Sequence, residues 1–160
     1  MTTTAATRDA AAVETWVSAF AAGWRDPSSP EAFIEHFAPL LDADVRMIQP
    51  QIPDLVGLEA FRTGFVEPIF GLIPDLHGTV RGWAADGNVV WIELELEGTV
   101  GGRTVRLDTV DRITLRDGLA VERKAVLDPG PLLAAVARSP RSWPRFVRIQ
   151  AAGLRRRLSR

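Results

Sequence analysis

The sequence contains no cysteine, which excludes a disulfide framework, thiolate metal ligation and cysteine nucleophiles at once. It has two histidines, His36 and His77, and they are too far apart for a His-x-x-x-His metal pair. Lysine occurs once, at Lys124, against 18 arginines, a bias that reads as codon usage before function. No apolar run approaches the ~20 residues needed to span a bilayer. The stretch from Met1 to Ala12 lacks the basic start and apolar core of a secretory signal, so the expected location is cytoplasmic. No spacing indicates a metal, nucleotide or flavin, and no cofactor is expected.

What is present fits one domain: 160 residues, enough to bury roughly two-thirds of the surface that the unfolded chain exposes. The net charge of −1 is unevenly distributed. Between Arg138 and Arg160 lie eight arginines and no acid, so all 20 acidic side chains belong to residues 1–137. This predicts an acidic body, 1–137, and a basic amphipathic C-terminal helix, 138–160.

The first half has helical period. Val13, Trp16, Val17, Phe20 and Trp24 form a stripe, with Thr7 or Asp9 as the N-cap. Ser29-Pro30-Glu31 supplies a cap, a first-turn proline and an acid for a short helix bearing Phe33, Ile34 and Phe37. Residues 44–49 alternate as a short strand. Leu58, Phe61, Phe65 and Ile69 mark a third helix, interrupted at Pro68. The period then falls to two. Asp86-Gly87, Gly101-Gly102 and Asp117-Gly118 are hairpin turns that divide residues 76–128 into a four-stranded meander. After Pro129 and Pro131, Leu132, Leu133 and Val136 begin another helix, and Trp143, Val147, Leu154 and Leu158 mark the apolar face of the last one.

Alternation assigns faces to the strands. Ile92, Leu94 and Leu96 share the covered side, opposite Glu93, Glu95 and Glu97. On the next strand Val105, Leu107, Thr109, Asp111, Ile113 and Leu115 share that side, which places a carboxylate in an apolar stripe. Val121, Arg123, Ala125 and Leu127 share it on the last strand, with Arg123 as the basic exception.

Three helices, a short strand and a meander with an Asp in its third strand resemble the nuclear transport factor 2-like superfamily. The narrower resemblance is to its SnoaL-like members, which include ketosteroid isomerases, limonene-epoxide hydrolases and polyketide cyclases. It rests on Ala43-Asp44-Val45-Arg46-Met47, on residues 110–118 (VDRITLRDG) and on Val126-Leu127-Asp128-Pro129, and it covers about residues 9–137. It implies an α+β, cone-shaped fold in which three N-terminal helices pack on a curved antiparallel sheet and enclose a pocket. The oxyanion-binding Asp of the isomerases falls on Asp111. Their Tyr falls on Trp16, whose indole N–H donates but does not share a proton as a phenol does. Their Asp base falls on Gln49, which is no general base. The polar residues of the epoxide hydrolases fall on Ile92, Leu94 and Ala125, the last also being the position of the cyclases' catalytic Asp.

The candidate site is therefore Asp111 as acid–base centre, with Arg123, Gln49 and Trp16 as ligand-binding groups. Two readings stand for the first pair: a desolvated acid with an anion-binding arginine, or a structural ion pair, with Thr109 or a backbone N–H as the other partners for Asp111. His36 and His77 read as surface or capping residues. The expected partner is a small, largely apolar molecule, with isomerase, cyclase or hydrolase-type acid–base chemistry or none, in a homodimer paired through the outer sheet face that carries Trp91 and Val110. Nucleic acid is not expected, and contact of residues 138–160 with an anionic membrane surface ranks below a solvated helix or a clip on the acidic body.

Overall fold

The computed structural model describes residues 2–50 and 52–158, and the side chains of 10–50 and 52–151. Helix α1 spans Thr2–Arg25 and buries Val13, Trp16, Val17, Phe20 and Trp24 along one face. It begins earlier than the sequence suggests. Thr7 and Asp9 lie inside it, because the alanines around them are strong helix formers that carry the helix past both candidate caps. Helix α2, Pro30–Phe37, starts where its signals place it: the Ser29 hydroxyl accepts the Ala32 N–H at 3.1 Å.

The third helical segment is broken upstream of Pro68 rather than at it. Helix α3, Leu58–Phe61, runs into a wide π turn over Arg62–Val66, and helix α4 follows at Glu67–Leu72 with Pro68 in its first turn. Pro68 brings no N–H to the Gly64 carbonyl and its ring crowds the preceding turn, so the chain takes up an extra residue there.

Among the described residues six strands form one sheet: β1 (Leu41–Ile48), β2 (Leu55–Val56), β3 (His77–Asp86), β4 (Val89–Val100), β5 (Arg103–Arg116) and β6 (Leu119–Leu127), in the order β2-β1-β6-β5-β4-β3. The β3–β6 meander is antiparallel, and β1 joins it in parallel beside β6. Gly101 and Gly102, at φ 57° and 80°, and Asp117 and Gly118, at 52° and 78°, make the left-handed pairs that two-residue hairpins need. The inner face of β5 is buried throughout, from Val105 to Leu115. On β6 the register shifts between Thr114 and Leu115 of its partner, which inserts Val121 as a bulge. Ala120 is therefore buried in place of the expected Val121, while Arg123 and Ala125 keep their inward direction.

The core fills the cone between helices and sheet. Phe33 and Phe37 lie 4.4 Å apart, and Trp24 meets Phe33 edge-on at 4.8 Å. Helix α5, Gly130–Ala137, closes one end of the sheet, and α6, Trp143–Leu158, packs across the cone's mouth. Its packing face differs from the expected one. Phe146 and Ile149 turn inward, whereas Trp143 is 51% and Val147 62% exposed. Trp143 keeps its indole edge on α5, donating to the Val136 carbonyl at 2.9 Å, while its ring stays in water. The side chains of Leu154 and Leu158 lie outside the described residues.

Candidate functional site

Register places the buried charges. Asp111 on β5 faces Ala125 on β6, and Arg123 on β6 faces Ile113, so the two are diagonal neighbours on the inner face. Asp111 is 0% and Arg123 7% exposed. Arg123 Nε donates to Asp111 Oδ2 at 2.8 Å, and the Thr109 hydroxyl donates to Asp111 Oδ1 at 3.3 Å. A desolvated charge persists only when paired and hydrogen-bonded, and each of these partners serves that need.

The guanidinium continues away from Asp111. Its centre sits 5.7 Å from the Phe65 ring centroid, and Nη1 reaches Gln49 Oε1 at 3.5 Å. Phe65 is there because of the π turn, and Gln49 because β1 ends beside β6, where Ile48 pairs with Lys124. Sequence period had placed Phe65 on a helix stripe without a role.

Gln49 also borders an apolar cavity of about 110 Å³ beneath α6, walled by Leu72, Leu76, Leu96, Leu107, Leu132 and Phe146. Among the described residues no carboxylate, histidine or arginine lines it; its polar side chains are Gln49 and Gln150. The contribution of α5 and α6 to this wall went unread in the sequence, where the C-terminal segment stood out for charge rather than for Phe146 and Ile149. A second space, about 20 Å³, lies deeper between Trp16, Trp24, Phe65 and Arg123. Its volume matches that of about one water molecule. Trp24 has a buried indole N–H with no partner among the described residues.

The four predicted residues therefore divide. Gln49 meets the larger cavity, Arg123 and Trp16 meet the small one, and Asp111 lies behind Arg123, bordering neither. Trp16 has its N–H engaged by the Leu40 carbonyl at 3.1 Å and its ring stacked on Phe20 at 5.5 Å, which leaves only an apolar edge to offer. His36 contacts the Ala19 carbonyl at 2.8 Å and His77 the Asp75 carbonyl at 2.9 Å, and neither borders a cavity described above. Ile92, Leu94 and Ala125 are packed core, so those positions carry no polar chemistry.

Among solved structures, TerC co-crystallised with polyporic acid superposes with a TM-score of 0.68 at 21% identity, covering 79% of this chain and 98% of TerC. A protein proposed as a SnoaL-like polyketide cyclase, from Jannaschia sp. CCS1, gives 0.67 at 21% identity, covering 80% and 92%. A protein of ketosteroid isomerase-like fold from Catenulispora acidiphila DSM 44928, in complex with trimethylamine, gives 0.64 at 21%, covering 75% and 90%. These likenesses establish the cone fold. No curated protein matches the chain. The SnoaL-like domain family matches residues 13–123, from the first buried valine of α1 to the arginine of the buried pair, and the chain belongs to that family.

Proposed function

We propose that this protein binds a small, largely apolar molecule in the cavity beneath α6, with Gln49 as the polar group that orients it. The observation that supports this is the cavity's lining, apolar throughout apart from two glutamines. Gln49 accepts from Arg123, and Arg123 is fixed by Asp111, so the buried pair holds the amide in one direction. Trp16 contributes wall rather than a donor.

Acid–base catalysis at Asp111 is the second reading, favoured by an enclosed carboxylate inside the cone. The ion pair and the intervening Arg123 argue for the binding reading ahead of it. The outer sheet face supports pairing of two copies, because Trp91, Val110 and Val126 are all exposed there.

The test is a titration of the protein with 1-octanol, followed by methyl chemical shifts. Saturable changes confined to Leu72, Leu76, Leu96 and Leu107 are expected, and Leu132→Trp, which fills the cavity from α5, should abolish them. Unsaturable or scattered changes, or equal changes in the variant, would overturn the reading.

A further inference from the structure

Helix α6 borders a second, larger space. On its other flank a groove of about 410 Å³ runs between α6 and the π turn–α4 segment, with Arg145 and Arg148 on one side and Thr63, Glu67 and Gly71 on the other. The groove and the apolar cavity share Ile52, Gly64, Pro68 and Ile149, so they meet along a common wall. Resting on the apolar-ligand reading, we propose that the two spaces form one amphipathic site. The ligand is an organic monoanion, its apolar part in the cavity and its carboxylate on Arg145 and Arg148.

Three observations converge. Arg145 and Arg148 stand three residues apart on one helix, a spacing that puts both guanidinium groups on the same flank. Among the described residues neither makes a salt bridge. The acid in the groove's described lining, Glu67, is already held by Arg62 Nε at 3.1 Å. Two like charges thus face a groove whose one lining acid among the described residues is paired with an arginine outside it.

The second observation is space. A Cβ added at Gly71 would meet nothing within 4 Å, so the α4 wall of the groove is open there. The third is the lining of the neighbouring cavity, which offers an alkyl chain or small ring no charge at all. Apolar contact supplies affinity without direction, and a forked guanidinium pair supplies direction for a carboxylate. A neutral ligand would leave the arginines idle, and a ligand charged at both ends would leave its second charge against the cavity's leucines.

The test compares octanoate with 1-octanol, equal in chain length, by calorimetric titration of the full-length protein at low salt. Octanoate should bind about tenfold or more tightly than octanol, in keeping with charge-assisted hydrogen bonds. Replacing both arginines, Arg145→Gln with Arg148→Gln, should remove that advantage and leave octanol affinity unchanged. Arg141→Gln, on an exposed arginine outside the groove, should alter neither. Octanol binding with no octanoate advantage overturns the anion site while the apolar cavity stands. Binding of neither ligand overturns both readings. An equal loss in Arg141→Gln assigns the effect to the diffuse charge of the C-terminal segment and overturns the site, as does octanoate affinity that tracks only anionic vesicles added to the cell.

Discussion

Arg123 reaches Asp111 along a β5–β6 diagonal, Nε to Oδ2 at 2.8 Å, and the same guanidinium touches Gln49 just past the end of β1. One arginine therefore links a fully buried carboxylate of the cone to one of the two glutamines that border its apolar cavity. The pair is expensive to dehydrate and expensive to break, which makes its variants informative.

Asp111→Ala should destabilise the fold by about 3–5 kcal/mol, because it leaves Arg123 charged and unpaired in the core. Asp111→Asn keeps a hydrogen-bond acceptor for Nε and should lose less. Urea unfolding measures both. On the binding reading, octanol affinity of Asp111→Asn stays within about twofold of wild type, since Asp111 borders no part of the cavity. Turnover of a ketosteroid, epoxide or polyketide-like substrate by wild type, lost in Asp111→Asn with binding intact, would establish acid–base catalysis instead.

The scaffold was legible because its signals are local. Period two between Asp-Gly and Gly-Gly turns fixes the meander, and Ser29-Pro30 fixes α2. The inward direction of Asp111 and Arg123 followed from alternation alone. What escaped depends on distant packing. Val121 follows the alternation but a bulge in β6 buries Ala120 in its place. The two-residue β2 pairs with β1 over Arg46 and Met47 and is too short to leave a pattern. The cavity escaped for the same reason: its walls come from α4, the sheet, α5 and α6, and the packing face of α6 is Phe146 and Ile149 rather than the Trp143 and Val147 stripe.

Two glycines near the cavity should respond in opposite ways. A Cβ at Gly98 would collide with Ile73 Cγ2 and press on the Asp75 carboxylate and the Leu76 Cα, each at 3.3 Å. Ile73 is fully packed and Asp75 is engaged, accepting the Thr99 N–H at 2.7 Å, so neither yields freely. Gly98→Ala should cost about 1–3 kcal/mol. Gly71→Ala, on helix α4 with open space around it, should be neutral or stabilising by up to about 1 kcal/mol. Thermal unfolding of both variants checks the contrast, and equal effects would contradict the packing described around Ile73.

The last prediction concerns the sheet's outer face. Trp91 pairs across to Arg112, and Val110 lies between Glu93 and Val126 in the adjacent row. Trp91, Val110 and Val126 thus form an apolar strip, with Val126 59% exposed. The charges beside it are partly neutralised within the chain, Arg112 by Glu122 at 3.6 Å and Arg81 by Glu95 at 2.6 Å. A face that pairs its own charges and leaves its apolar residues in water suits a self-complementary contact, in which each strip covers the other. Sedimentation should find a dimer at micromolar concentration. Val110→Glu with Val126→Glu should convert it to a folded monomer, because exposed positions tolerate charge and a buried apolar contact does not. A wild-type monomer at that concentration, or a variant that still pairs, would rule out this face as the interface.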